Sequence, residues 1–292
     1  MTAVYVFTSD PVALNSYLVV GPERALVVDT GAGPTQAGRI LEAFRSVTAL
    51  PFVVVNTHDH WDHFFGNATF RDAGAEEFLG SPAFVRDQAG SAWVQFHEVP
   101  LEHEPGLPSD PSALAVEVRE LADGATVSLG RGASAGGDDA IGGAATGSGA
   151  GTVSGSVSGT DIGADTGTAA GDAEVLLEAR LLPGHTETDL VLVHEDLAFV
   201  GDLLEEGAPP QFDTAEPGAW AQSLRTLLAE ECLGLFLPGH GLPVDREFAQ
   251  AQAHDVAAVA ADDSADVPAR SAAAFPWLSE QEFPGGTLRR MR

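Results

Sequence analysis

Apolar positions recur along the chain with two periods, and the switches between them mark the elements. "VYVFT" (4–8), "SYLVVG" (16–21) and "ALVVDTG" (25–31) are short runs rich in β-branched and aromatic residues, cut by Pro, Asn and Gly. "TQAGRILEAFRSV" (35–47) spaces its apolar residues three and four apart, which predicts a helix. "PFVVVNTH" (51–58) is again a continuous apolar run, the pattern of a buried strand. Farther on, "ATVSLG" (125–130), "EVLLEARLLPGH" (174–185), "DLVLVHEDLAFVGD" (189–202) and "LGLFLPGHG" (233–241) predict strands that close in tight polar loops. Helices are expected over "PGAWAQSLRTLLAEE" (217–231) and "DREFAQAQAHDVAAVAADD" (245–263), with a less regular tail beyond. The alternation is that of an α/β protein.

Between residues 131 and 172 the texture changes to Gly, Ser, Ala, Thr and Asp. Such a segment buries too little surface to offset its ordering entropy, so a disordered insertion is expected. A Gly-rich phosphate cradle would need a strand–Gly–helix context and a lysine, and neither is present. The flanks "LADGATVSLG" and "EVLLEARLL" read as two arms of one hairpin, which makes the insertion a swollen turn. An extended strand rises about 3.3 Å per residue, so the turn is expected roughly 30 Å from His185, on the opposite face of the molecule.

Charge narrows the function classes. The chain of 292 residues carries 43 acidic side chains against 14 basic ones, a formal net charge of -29, and it contains no lysine. So acidic a surface repels nucleic-acid phosphate and anionic lipid, so neither partner is expected. It also suits a salt-rich cytoplasm, where hydrated carboxylates keep a protein soluble. No apolar stretch reaches membrane-spanning length, and the N-terminus lacks the pattern of a signal peptide, so a cytoplasmic protein is expected. The single Cys232 cannot form an internal disulfide or build a thiolate cage, and its apolar neighbours predict that it is buried.

The candidate chemistry begins at "NTHDHWDHFFGN" (56–67), directly behind an apolar strand. His58, His60, Asp62 and His63 would repel one another or compete for protons unless a cation collects them, and neutral imidazole with carboxylate suits zinc, iron and related metals. Later strands deliver His185 in "PGHTETD", Asp202 in "FVGDLL" and His240 in "LPGHGLP". Loops at one edge of a sheet sandwich lie close together, so a composite site is geometrically sound. Seven such residues exceed the needs of one tetrahedral ion and suit two ions sharing a carboxylate.

The His-x-His-x-Asp-His run at 58–63, followed by His185, Asp202 and His240 in that order, resembles the metallo-β-lactamase-fold hydrolases. The resemblance covers roughly residues 12 to 250 without the insertion. It implies a four-layer αβ/βα sandwich with the metals at one edge of two sheets. The catalytic domain would span residues 1–250, with the helix and tail of 251–292 packed on it. It further implies that His58, His60 and His185 hold one divalent ion, that Asp62, His63 and His240 hold a second, and that Asp202 bridges them. Zinc is the expected metal, with iron or manganese as alternatives. Asp29 in "VVDTG" matches an early aspartate that anchors ligand histidines from behind. Asp62 and Asp202 take catalytic roles, and the reaction is attack by a metal-bound hydroxide on a small molecule.

Departures from subfamily patterns shape the substrate class. β-Lactamases of this fold carry cysteine or serine where Asp202 stands, and quorum-sensing lactonases use a tyrosine soon after it, whereas the only tyrosines here are Tyr5 and Tyr17. Similarity is greatest to the glyoxalase II-like group, which implies small esters, thioesters or lactones. That group grips substrate carboxylates with basic residues, for which only the tail arginines Arg289, Arg290 and Arg292 stand in. Two other classes stay open: a mononuclear iron oxidoreductase similar to persulfide dioxygenases, and a non-catalytic metal-binding scaffold. His97, His103, His194 and His254 have no ligand-type partner at useful spacing. Trp61, Phe64 and Phe65 are core or pocket wall, and "EEGAPPQFD" (205–213) is placed to shape the pocket, with the part of Glu205 and Glu206 open.

Overall fold

The computed structural model describes residues 2–10, 13–132 and 174–292. The chain opens with β1 (Ala3–Ser9), β2 (Leu14–Val20) and β3 (Ala25–Val28), then α1 (Pro34–Val47), β4 (Phe52–Val55), α2 (Trp61–Phe64) and α3 (Asn67–Asp72). β5 (Glu77–Gly80), α4 (Pro82–Gln95) and β6 (Arg119–Glu120) complete the first half. β7 (Thr126–Arg131), β8 (Glu174–Leu181), β9 (Leu190–His194) and β10 (Leu197–Gly201) follow, then α5 (Pro217–Leu228), β11 (Leu235–Pro238) and β12 (Val244–Asp245). The chain ends with α6 (Arg246–Ala261), β13 (Ser279–Phe283) and β14 (Gly286–Arg290).

Among the described residues these strands form two mixed sheets. The first runs β13-β14-β1-β2-β3-β4-β5-β6 and the second β12-β11-β10-β9-β8-β7. The wholly apolar β3 and β4 lie where both faces are covered, which is why neither keeps a polar position. Alternation then sorts their side chains. Val53 and Val55 join Val4, Val6, Leu26 and Val28 against Leu177, Leu192, Phe199 and Leu237 of the second sheet. Phe52 and Val54 point the other way, into Ile40, Phe44, Phe70 and Phe84 under the helices. A third cluster packs Val191, Ala198, Val200 and Phe236 beneath Trp220, Leu224 and Val256. Helix, sheet, sheet and helix are the four layers of the expected αβ/βα sandwich.

β7 and β8 pair antiparallel as the two arms expected of a hairpin. The backbone N–H groups of Glu23 and Arg24 donate to the Leu129 carbonyl, so the open end of this hairpin lies on the β2–β3 turn, away from Asp29. Of the expected disordered insertion, 131–172, Arg131 ends β7, and residues 133–172 lie outside the described residues.

Two expectations need correction. The irregular tail includes a hairpin, β13–β14, which pairs with β1 and widens the first sheet. Its turn, Phe283-Pro-Gly-Gly286, uses Gly285 at a φ of 76°, a left-handed conformation that favours glycine. Cys232 is exposed, not buried, because the turn after α5 carries it outward while Leu233 takes the core position. His194 ends β9 and is buried, its Nδ1 2.9 Å from the Leu176 carbonyl.

Candidate metal centre

Strand ends converge at one edge of the two sheets. β4 runs into Asn56, Thr57 and His58, and the one-turn α2 presents Asp62 and His63 just behind His60, its N-cap. From the second sheet come His185 after β8, Asp202 after β10 and His240 after β11. The sequence-predicted residues meet as two groups whose ligand atoms lie within 4.8 Å of one another: His58, His60, His185 and Asp202, and Asp62, His63 and His240. Asp202 Oδ2 reaches both, at 3.6 Å from His58 Nε2, 3.7 Å from His185 Nε2, 3.3 Å from His63 Nε2 and 3.7 Å from His240 Nε2. His60 Nδ1 faces His185 Nε2 at 3.1 Å, and Asp62 Oδ2 faces His240 Nε2 at 3.2 Å.

The rings are oriented from behind. Asp29 sits at a φ of 61°, a left-handed conformation that aspartate tolerates. Its carboxylate accepts the N–H and hydroxyl of Thr57 and the Nδ1–H of His63 at 2.7–2.9 Å. Thr57 Oγ1 in turn lies 3.0 Å from His58 Nδ1, so one aspartate steadies a histidine in each group. Thr214 lies 3.1 Å from His60 Nε2. Asn15 and Tyr17 hold the His240 loop through the carbonyls of Pro238 and Gly241. Asp59, inside the histidine run, bonds Ser91 and Thr188 and so ties α4 and the His185 loop together. Gly239 has no room for a side chain: a Cβ there would fall 2.1 Å from Asp202 Oδ1.

Of these anchors only Asp29 was expected. Thr57 and Asp59 lie within or beside the motif, but hydroxyls and a spare carboxylate give no distinctive signal. Thr214, Asn15 and Tyr17 lie far from it in sequence. Phe64 and Phe65 belong to the core, while Trp61, Glu205 and Glu206 line the cavity beside the cluster.

Burial dominates the charge states. It lowers His58 well below the usual imidazole value, helped by the charge of His63, and takes His185 down to about 4. His63 and His240 are pulled down by burial too, yet Asp202 and Asp62 outweigh it; His63 ends well above its ordinary value and His240 at about 9. Burial likewise opposes ionisation of Asp202, but His63 and His240 hold it well below the usual carboxylate range. His58 Nε2, His63 Nε2 and Asp202 Oδ1 are buried with no hydrogen-bond partner. Unpaired buried nitrogens and oxygens that point at common centres are the donor set a divalent cation needs. Zinc, iron and manganese all fit so mixed a set.

A cavity of about 790 Å³ opens onto this cluster, lined by His60, Asp62, His185, Asp202 and His240 at its floor. No helix among the described residues is long and apolar enough to cross a membrane.

Among the solved structures that share the fold, three are at 17–20% identity. One is the metallo-β-lactamase FIM-1 from Pseudomonas aeruginosa in its mono-zinc form, at 17% identity over 85% of each chain and a TM-score of 0.56. Another is TTHA1623 in a di-iron-bound form, at 20% identity over 84% of this chain and 96% of that one, with a TM-score of 0.55. The third is a metallo-β-lactamase from Erythrobacter litoralis with β-mercaptoethanol in its active site, at 19% identity over 85% and 86% and a TM-score of 0.53. No curated protein sequence matches the chain. The family model of the metallo-beta-lactamase superfamily matches residues 9–240, and the chain belongs to that superfamily.

Proposed function

We propose that the protein is a dinuclear metal-dependent hydrolase of small esters, thioesters or lactones. One observation carries the proposal: the side chains divide into two ligand groups joined by Asp202, with buried His58 Nε2 and His63 Nε2 left without a hydrogen-bond partner. In it, His58, His60, His185 and Asp202 hold one divalent ion, and Asp62, His63, His240 and Asp202 hold the other. Two such ions, when bound, acidify a water towards neutrality and polarise the substrate carbonyl.

The chain's own residues supply the rest. Asp29 and Thr57 keep the protons of His58 and His63 on Nδ1, so that each Nε2 lone pair faces inward. Thr214 does the same for His60 from the other nitrogen. Asp202 fixes the separation of the two groups. Asp62, at the cavity floor, is placed to take the proton shed by the attacking water. The di-iron form of TTHA1623 and the mono-zinc form of FIM-1 keep both metals in view for this chain.

Elemental analysis with turnover of acyl thioesters, esters and lactones tests the proposal. Two divalent ions per chain and oxygen-independent hydrolysis are expected. One iron per chain with oxygen consumption would favour the oxidoreductase class instead.

A further inference from the structure

Beyond the ligand cluster, the cavity is lined by Glu98, Glu205, Glu206 and Asp213, and among the described residues no arginine lines it. Arg270 pairs with Asp255, Arg289 with Glu280, and Arg292 with Glu195 and Asp196, while Arg39 lines a separate small pocket on another side of Trp61. Arginine is the only basic residue besides histidine in the sequence, and residues 133–173 contain neither. That segment therefore has no cation to bring.

The four carboxylates differ in what they already do. Glu206 accepts the backbone N–H groups of Leu242 and Ala272, which ties the His240 loop to the C-terminal segment. Glu205 is 5% exposed and accepts the Gln211 N–H; burial, reinforced by Asp202, pushes it up to about 8. Glu98 and Asp213 are exposed and, among the described residues, in no ion pair; they come from the segment after α4 and the loop before α5 respectively. Trp61 lines the same space. So does Asp202, only 7% exposed and with Oδ1 unpartnered, which puts the acidic walls and the reacting centre in one cavity.

Building on the hydrolase reading, we propose that the substrate carries a cationic nitrogen, ammonium or quaternary ammonium, remote from its reacting carbonyl, and that Glu98 and Asp213 hold it beside the Trp61 ring. A carboxylate in that position, as in glutathione thioesters or carboxylated lactams, would meet the like charge of Glu98 and Asp213 on the wall away from the ligand cluster. A cation gains two carboxylates and the electron-rich face of an indole.

Three acetyl esters test this on the metal-loaded full chain: acetylcholine, its uncharged isostere 3,3-dimethylbutyl acetate, and the acetyl ester of a hydroxycarboxylate. At low salt, kcat/KM for the cation should exceed that for the isostere by about tenfold, with the anion below both. The advantage should shrink as ionic strength rises. It should approach one in the Glu98→Gln/Asp213→Asn double variant. Calorimetry with choline and 3,3-dimethylbutanol reads the same preference without turnover. Hydrolysis with no cation preference, or with the anion favoured, would overturn the proposal and leave the hydrolase reading standing. Tighter binding of choline, lost in the double variant, with none of the esters, thioesters or lactones cleaved would sink the hydrolase reading and keep the cation site.

Discussion

His58 and His185, in the first ligand group, sit where burial strips protons from imidazole. His63 and His240, in the second, face Asp202 and Asp62 and keep theirs. Side chains of the same type, a few ångströms apart, thus rest in opposite charge states, and the cause is the placement of carboxylates. Among the described residues Asp202 is the one carboxylate within 4 Å of a first-group imidazole, whereas Asp29, Asp62 and Asp202 all lie that close to His63. The difference implies an order of loading. A cation can enter the first group with little proton release, but in the second it must displace protons already held between imidazole and carboxylate.

The strongest way to break the comparison is to remove what the two groups share. Asp202→Ala should abolish turnover and lower occupancy of both positions together, as read by elemental analysis beside the activity assay. If the first group kept its ion at unchanged affinity, the groups would be independent and the bridging role wrong. A second test uses pH. A proton on His240, held at about 9, and one on His63, also raised, compete for the ion, so affinity for the second ion should climb at least about tenfold per pH unit from pH 7 to 9. The first ion, facing His185 at about 4, should gain little over that range. Chelator competition and proton release measured in several buffers would show it. Two steps with the same pH dependence would erase the distinction.

What the sequence disclosed follows the same physics. The run from His58 to His63 was legible because so many ligands in one loop have no comfortable arrangement without a cation. The apolar "FVVV" of β4 was legible because only a strand covered on both faces tolerates it. Residues whose role depends on a neighbour distant in sequence were not. Thr214 meets His60 across 154 positions, and Asn15 meets the His240 loop across more than 220. "SEQEF" of β13 hid its strand because it is almost wholly exposed, although Pro-Gly-Gly marked the turn. In α4 the apolar stripe is weak, and its start is signalled only by Ser81, whose hydroxyl accepts the Phe84 N–H, and by Pro82.

Smaller effects separate shared anchors from private ones. Asp29 steadies His63 directly and His58 through Thr57. In Asp29→Asn a donor replaces an acceptor facing Thr57 or His63, so affinity at both groups should fall about 10–100-fold. Thr214 is different, since it touches only the first group, where it accepts from His60 and donates to the His185 carbonyl at 3.4 Å. It is also exposed, so water can take over much of what its hydroxyl does. Thr214→Val keeps the branched shape and removes only the hydroxyl. The expected loss is therefore about tenfold or less in affinity for the first ion, with the second unchanged. Chelator competition resolves the two steps, and a thermal melt of the metal-free variant checks that the loop still packs. A loss at the second group as well would mean that Thr214 acts through the position of His185 and Asp202, and the division of anchors between the groups would have to be redrawn.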